Sequence, residues 1–339
     1  MSASAWGEKD TQFFYQLTPE RILDAVEKST GLRCTGRSFA LNSMENRVYE
    51  LEIDLEEKPA NPSDRFVIAK FYRPGRWSKE QILDEHRFLL ELADAEIPVI
   101  APLTFTDGET LHAMPDFNIW YAVFPKCGGR SPDELQGEDL AQVGRLLARI
   151  HRVGQAKAAP NRIRLNPETY GLSSLRFLTD NRLLPADIES RYRATVESIC
   201  QLSEPMFARA STQRIHGDCH MGNLLHGRGG FFFVDFDDMV TGPTVQDFWL
   251  LIAGRDEDAT RRLNTLLDAY ESFCDFDRST LQLIEPLRAL RFVHFSAWIG
   301  KRWQDPAFPR AFPDYGSSRY WHEQVRDLEE QLALIRMFS

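Results

Sequence analysis

The sequence predicts an α+β protein in two lobes, strand-rich to about residue 125 and mainly helical beyond about residue 130. Three observations carry that reading. Runs such as YELEIDL and RFVIAKFY alternate or are rich in β-formers, and they crowd the first part around a single amphipathic helix. After residue 138 the apolar repeat lengthens from the strand period to the helical one. A chain of 339 residues with 43% hydrophobic content is also long enough for two packed units around a real core.

The elements follow in order. TPERILDAVEKS, residues 18–29, has Thr18 as an N-cap and Pro19 at the first helical position, so a short helix is expected. In YELEIDL, Tyr49, Leu51, Ile53 and Leu55 share one face of a half-buried strand. KPANPSD is turn chemistry and RFVIAKFY a second strand, which makes 40–72 a hairpin. SKEQILDEHRFLLELADA opens with a Ser78–Gln81 capping box, and Ile82, Leu83, Leu89, Leu90 and Ala93 recur at helical spacing. PVIAPLTF and NIWYAVFP read as two more strands around a turn at Asp107-Gly108. KCGGRSPDELQGED is a loop suited to join lobes, which sets the division at 1–125 and 126–339. Beyond it, helices are expected at DLAQVGRLLARIHRVG, 186–203, 244–274, 280–303 and 320–337, interrupted by the strand FFFV.

Composition narrows the function. The formal net charge is −10 and no long Lys/Arg run exists, which argues against a nucleic-acid partner. The five cysteines are scattered without a CxxC pair, as in a reducing compartment. The stretch MSASAWGEKDTQFF has neither the basic nor the apolar region of a signal peptide, and no apolar run approaches the roughly 20 residues of a membrane span. A soluble, cytoplasmic protein with no membrane partner is expected.

HGDCHMGNLLHGRGGFFFVDFDD, residues 216–238, carries the chemistry. Phosphoryl transfer from ATP asks for a carboxylate to accept the proton of the attacking hydroxyl. It also asks for an amide and a second carboxylate to hold magnesium, and a lysine, steadied by a helix glutamate, to meet the phosphates. Asp218 follows a strand end as the base; Asn223, five residues on, and Asp235, at the end of FFFV, supply oxygen ligands suited to Mg2+. Lys70 in VIAKFY and Glu85 in the next helix are the candidate pair for the ATP phosphates. The loop LNSMEN, residues 41–46, is placed to cover those phosphates with Ser43 and backbone N–H groups. Each feature alone is a weak signal, but their order along the chain is a strong one. The adenine is expected against the joint, near Phe124 to Cys127.

HGDCHMGNLL followed by VDFDD resembles the catalytic and metal-binding segments of the protein-kinase-like bilobal fold shared by aminoglycoside phosphotransferases and choline kinases. More closely, LNSMENRVYE, FVIAKFYRPGRW, ILDEHRF, GPTVQDFW, IEPLRALR and DPAFPRAFP resemble the bacterial stress response kinase A family of serine/threonine kinases. The resemblance runs from about residue 15 to 325. It implies a monomeric, cytoplasmic, Mg2+- and ATP-dependent enzyme that phosphorylates protein serine or threonine and serves stress survival. On the matching positions it makes Asp218 and Asp235 catalytic, Asn223 and Asp235 the metal ligands, and Ser43, Lys70 and Glu85 the ATP-site residues.

The chain departs from ordinary protein kinases at three points. The loop at 41–46 lacks GxGxxG, and Asp235-Phe236-Asp237 stands where DFG would, without the glycine that eases a backbone flip. Little separates VDFDD from the helix beginning near Val245, so the long activation segment that supports a peptide is missing. The residues alone therefore favour a small-molecule acceptor, as in aminoglycoside, choline or homoserine kinases; the family resemblance favours a protein. A nucleotide-holding module without turnover is a third reading, opposed by the complete set of base, ligands and lysine.

Blander roles compete for several residues. Asp218 and Asn223 also suit a turn, Lys70 a strand edge and Glu85 a solvated helix face. His216, Cys219, His220 and His226 match no zinc spacing. Cys219, beside the base, is either a redox-sensitive thiol or a small buried residue. Asp247 reads as a brace for the 216–223 loop, and Arg288, Arg291 and Arg302 as a solvated face or a contact for an acidic substrate.

Overall fold

The computed structural model describes residues 14–337 except 15, 58, 116 and 253; the stretch read above for a leader lies, but for Phe14, outside the described residues. Helix α1 (Pro19–Thr30) starts at Thr18, whose hydroxyl accepts from Arg21 N, and closes on Gly31 in the left-handed region at φ +71. Strands β1 (Cys34–Leu41), β2 (Arg47–Ile53), β3 (Phe66–Phe71), β4 (His112–Ala113) and β5 (Trp120–Pro125) form one antiparallel sheet in the order β1-β2-β3-β5-β4.

The period of two sorts β3 between the faces of that sheet. Val67, Ala69 and Phe71 join Leu51 and Ile53 of β2 against Ile22 and Val26 of α1. Ile68 and Tyr72 point the other way, into the core shared with α2 (Lys79–Asp94) and the helical part. Lys70 lies between them in sequence, so its side chain projects from the crevice face. The Ser78–Gln81 capping box that opens α2 is present in both directions, at 2.9 and 3.3 Å.

Two sequence expectations need correction. PVIAPLTF is not a strand: Pro98 and Pro102 lack ladder donors, and only Val99 makes a bridge, to Phe233. The helix expected over 244–274 is two, α6 (Gln246–Trp249) and α7 (Glu257–Glu271), because Asp256 caps a fresh start by accepting from Ala259 N. Strand β1 adds to those expectations: its residues are mostly exposed, so CTGRSFAL carries no apolar alternation.

The helical part holds α3 (Gly137–Ala156), α4 (Ser173–Asp180), α5 (Ala186–Arg209), α8 (Ile284–Lys301), α9 (Ala307–Ala311) and α10 (Ser318–Arg336) around one large core. α3 packs on α7, α5 on α10 and α8 on α4. Helix α5 runs on past residue 203 through Pro205. Two ribbons interrupt the helices: β6 (Gln213–Ile215) with β9 (Val240–Gly242), and the hairpin of β7 (Leu224–Gly227) and β8 (Gly230–Phe233). No helix among the described residues is long and apolar enough to cross a membrane.

Candidate active site

The crevice between the sheet and the helical part gathers the polar groups singled out above. Lys70, held in register between Val48 and Ala122, reaches it from β3. Its Nζ stands 3.2 Å from Asp237 Oδ1, 3.3 Å from Asp235 Oδ1 and 3.9 Å from Glu85 Oε1. Burial works against the ammonium charge, but Asp237, Asp235 and Glu85 outweigh it and hold the pKa well above the usual lysine range. Glu85 is buried in α2 and its other oxygen takes Arg162 Nη2 at 3.0 Å. Burial pushes this carboxyl up to about 7, against the pull of Lys70 and Arg162.

The 216–223 loop is held from behind. Asp247, fully buried on α6, accepts from His216 N at 2.9 Å and Gly217 N at 2.8 Å, and meets His151 Nε2 at 3.0 Å. Gly217 lies at φ +86 with the Asp238 carbonyl so near that a Cβ would collide with it. His216 Nδ1 takes Asp218 N at 3.3 Å while its Nε2 donates to Val234 O at 3.0 Å, tying the loop to the end of β8. Asn223 strengthens the tie, donating from Nδ2 to Asp218 O at 3.0 Å and accepting from Val234 N at 2.9 Å.

Asp218 presents its carboxylate to Arg291 Nη1 at 2.9 Å and to His220 Nε2 at 3.3 Å. Burial alone would raise its pKa; the bond from His220 and the charge of Arg291 hold it well below the usual carboxylate range instead. Asp235 sits in the left-handed region at φ +60, with its side chain 56% exposed toward the crevice. A non-glycine residue there is uncommon, and local strain of this kind gathers at functional sites. The donor set suits a hard cation: Asp235 offers a carboxylate, and no donor among the described residues hydrogen-bonds the side-chain oxygen of Asn223. Two protein oxygens leave the other positions to water and phosphates, which is how Mg2+ is usually held.

Ser43 lies on the β1–β2 loop, where its Oγ accepts from Asn46 N at 3.4 Å. That loop is anchored to the helical part. Glu45 takes Arg302 at 2.6 and 2.8 Å and Trp298 Nε1 at 2.9 Å, and Asn46 Nδ2 donates to Asp237 Oδ2 at 3.2 Å. Beneath it a cavity of 880 Å³ is lined by Ser43, Val48, Lys70, Phe124, Cys127 and Asp235 among others. This is room for a nucleotide, since ligand pockets run to about 300–1,000 Å³. A second cavity of 220 Å³ adjoins it, sharing Ser43 and Asp235 and reaching Asp218, Asp238 and Arg291.

Some of this was not foreseen. Asp237, noted only as a departure from DFG, is a buried carboxylate gripped by Arg76, Lys70 and Asn46, and held well below its usual range by the two cations against the effect of burial. Nothing local in the sequence marks Arg76 and Arg162: neither lies on a periodic face, and their partners are distant in sequence. Cys219 is fully buried and its thiol pushed far up, chiefly by burial, so it fits a small packing residue rather than a redox sensor.

The phosphotransferase enzyme family's sequence model matches residues 40–284. The chain is 39% identical to stress response kinase A of Escherichia coli K12 over 324 residues, 95% of each chain. It belongs to the stress response kinase A family of phosphotransferases. Serine/threonine protein kinase RdoA of Salmonella typhimurium LT2 is likewise 39% identical, over 96% of both chains. Among solved structures, the amicoumacin kinase hAmiN in complex with AMP-PNP, Ca2+ and Ami superposes with a TM-score of 0.74 at 20% identity, covering 96% of each chain. A microcompartment-associated aminopropanol kinase gives 0.65 at 18% identity, covering 93% of this chain and 95% of its own. At those identities the likeness speaks for the fold, which is the protein-kinase-like one. The family makes the chain an ATP-dependent kinase.

Proposed function

We propose that this kinase transfers the γ-phosphoryl group of ATP to a serine or threonine hydroxyl of a protein. In this reading Asp218 accepts the hydroxyl proton as the oxygen–phosphorus bond forms and the bond to the β–γ bridging oxygen breaks. Asn223 and Asp235 would hold magnesium, which supplies charge neutralisation at the phosphates. Lys70, braced by Glu85, meets the same phosphates, and Ser43 closes over them. The ATP-binding part is residues 1–125, and residues 126–339 carry the base, the metal ligands and the acceptor site.

The observation that carries the reading is the meeting of Lys70 with Asp235 at 3.3 Å, beside a cavity that continues to Asp218. Four residues of chain part β9 from the 216–223 loop's brace at Asp247, and this shortness favours a second reading, a small-molecule acceptor. The protein acceptor is favoured by the likeness to serine/threonine protein kinase RdoA over 96% of both chains.

Labelled ATP with cell extract separates the two. Label is expected in the protein fraction, and Asp218→Ala is expected to lower its rate about 10²–10⁴-fold. Label confined to low-mass products would establish the small-molecule reading, and nucleotide binding without any turnover a binding module.

A further inference from the structure

At the acceptor end of the crevice, one cation is only partly used by the protein itself. Arg291, on α8, donates from Nη1 to Asp218 Oδ1 at 2.9 Å and is 40% exposed where it lines the 220 Å³ cavity. A guanidinium carries five N–H donors in a planar fork, and no further hydrogen bond or ion pair to this one is seen among the described residues. The carboxylates beside it are matched from within. Asp238 is held by Arg76 at 2.5 Å, Glu45 by Arg302 at 2.6 Å, and Asp237 by Arg76 and by Lys70 at 3.2 Å. His294, stacked on Tyr170 at 4.2 Å, adds no charge at neutral pH: burial, with Lys301, Arg302 and Arg291 nearby, takes its pKa down to about 3.

The free edge of such a fork matches a carboxylate or phosphate, which it can grip with two parallel hydrogen bonds. We propose that Arg291 is a specificity residue that binds an anionic group on the acceptor and thereby sets the neighbouring hydroxyl beside Asp218. Resting as it does on the protein-acceptor reading, the inference commits to a serine or threonine flanked by acidic side chains. One edge of Arg291 orients the base while the other reads the acceptor, so a single side chain couples recognition to chemistry.

The test uses the full chain with Mg2+ and labelled ATP, and three peptides identical except that the residues flanking one serine are Glu, Gln or Lys. The wild type is expected to prefer the Glu peptide over the Gln peptide by about tenfold in kcat/KM, the equivalent of one good charged contact. Arg291→Glu is expected to invert the order in favour of the Lys peptide. Arg291→Lys keeps the charge without the fork, and should keep the order with a smaller ratio. Ratios under about twofold in the wild type, or an Arg291→Glu loss equal for all three peptides, would overturn the inference; the latter would leave Arg291 only a positioning residue for Asp218. A parallel pair, L-serine with its carboxylate and serinol without one, tests the underlying reading. If label enters only this pair and serine is preferred until Arg291→Glu reverses it, the anion reading stands and the protein acceptor fails. Label entering serine and serinol alike would sink both.

Discussion

Lys70 and Asp218 face one crevice from opposite sides, yet different forces set them there. Lys70 projects from a strand into a cluster of charges: three carboxylates within 4 Å, two of them on the segment 235–237, and Arg162 closing the far side of Glu85. Asp218 rides on a loop whose backbone is pinned by hydrogen bonds, with Asp247 accepting two N–H groups and His216 bridging to Val234. A charge cluster tolerates the loss of one member because the others re-pair. A buried backbone anchor has no substitute, since each N–H it abandons stays buried and unmatched.

The sharpest way to break this contrast is to remove the anchor. Asp247→Ala strands the N–H groups of His216 and Gly217 and takes one of the two partners of His151, in a place with no solvent access. A loss on the order of 3 kcal/mol is expected in urea unfolding, together with a collapse of phosphoryl transfer. A loss below about 1 kcal/mol would mean that the loop holds its own shape, and the contrast would fail. Lys70→Met probes the other side. Asp237 keeps Arg76 and Asn46, and Glu85 keeps Arg162. Stability should therefore shift by only about 1 kcal/mol, while transfer falls about 100-fold for want of a cation at the phosphates. Comparable stability losses in the two variants would erase the distinction.

The same contrast explains what could be read in the sequence. The 216–223 loop was legible because its parts are close along the chain: Asp218, Asn223 and Asp235 fall within 18 residues, and Asp247 follows on the next helix. Lys70 and Glu85 were legible through periodicity, one by strand alternation and the other by helical spacing. Arg76, Arg162 and the ion pairs of Asp237 were not, because their partners lie on other elements and nothing local marks them. In the fold, the two prolines of PVIAPLTF outweighed its β-branched composition, and the edge strand β1 gave no apolar signal at all.

Glu85 offers the finest measure of how the charge cluster differs from the loop, because its carboxyl titrates near neutrality and that of Asp218 does not. Burial takes this carboxyl from its ordinary 4.5 to about 7, whereas Asp218 and Asp237 are held far below that range. Between those two values the folded protein keeps a proton on Glu85 that the unfolded chain has released. The stabilisation is thus complete below the unfolded pKa and is lost as pH rises through the folded one. The slope reaches at most about 1.4 kcal/mol per pH unit. Glu85→Gln should remove it, since an amide stays neutral throughout, and urea midpoints from pH 5 to 8 for the two proteins would show this. Equal slopes would place the titration elsewhere. The proton that stabilises the fold also weakens the pairing of Glu85 with Lys70, so the KM for ATP should fall as pH rises through about 7, where the decline in stability levels off. The cluster therefore trades stability against its grip on the phosphates.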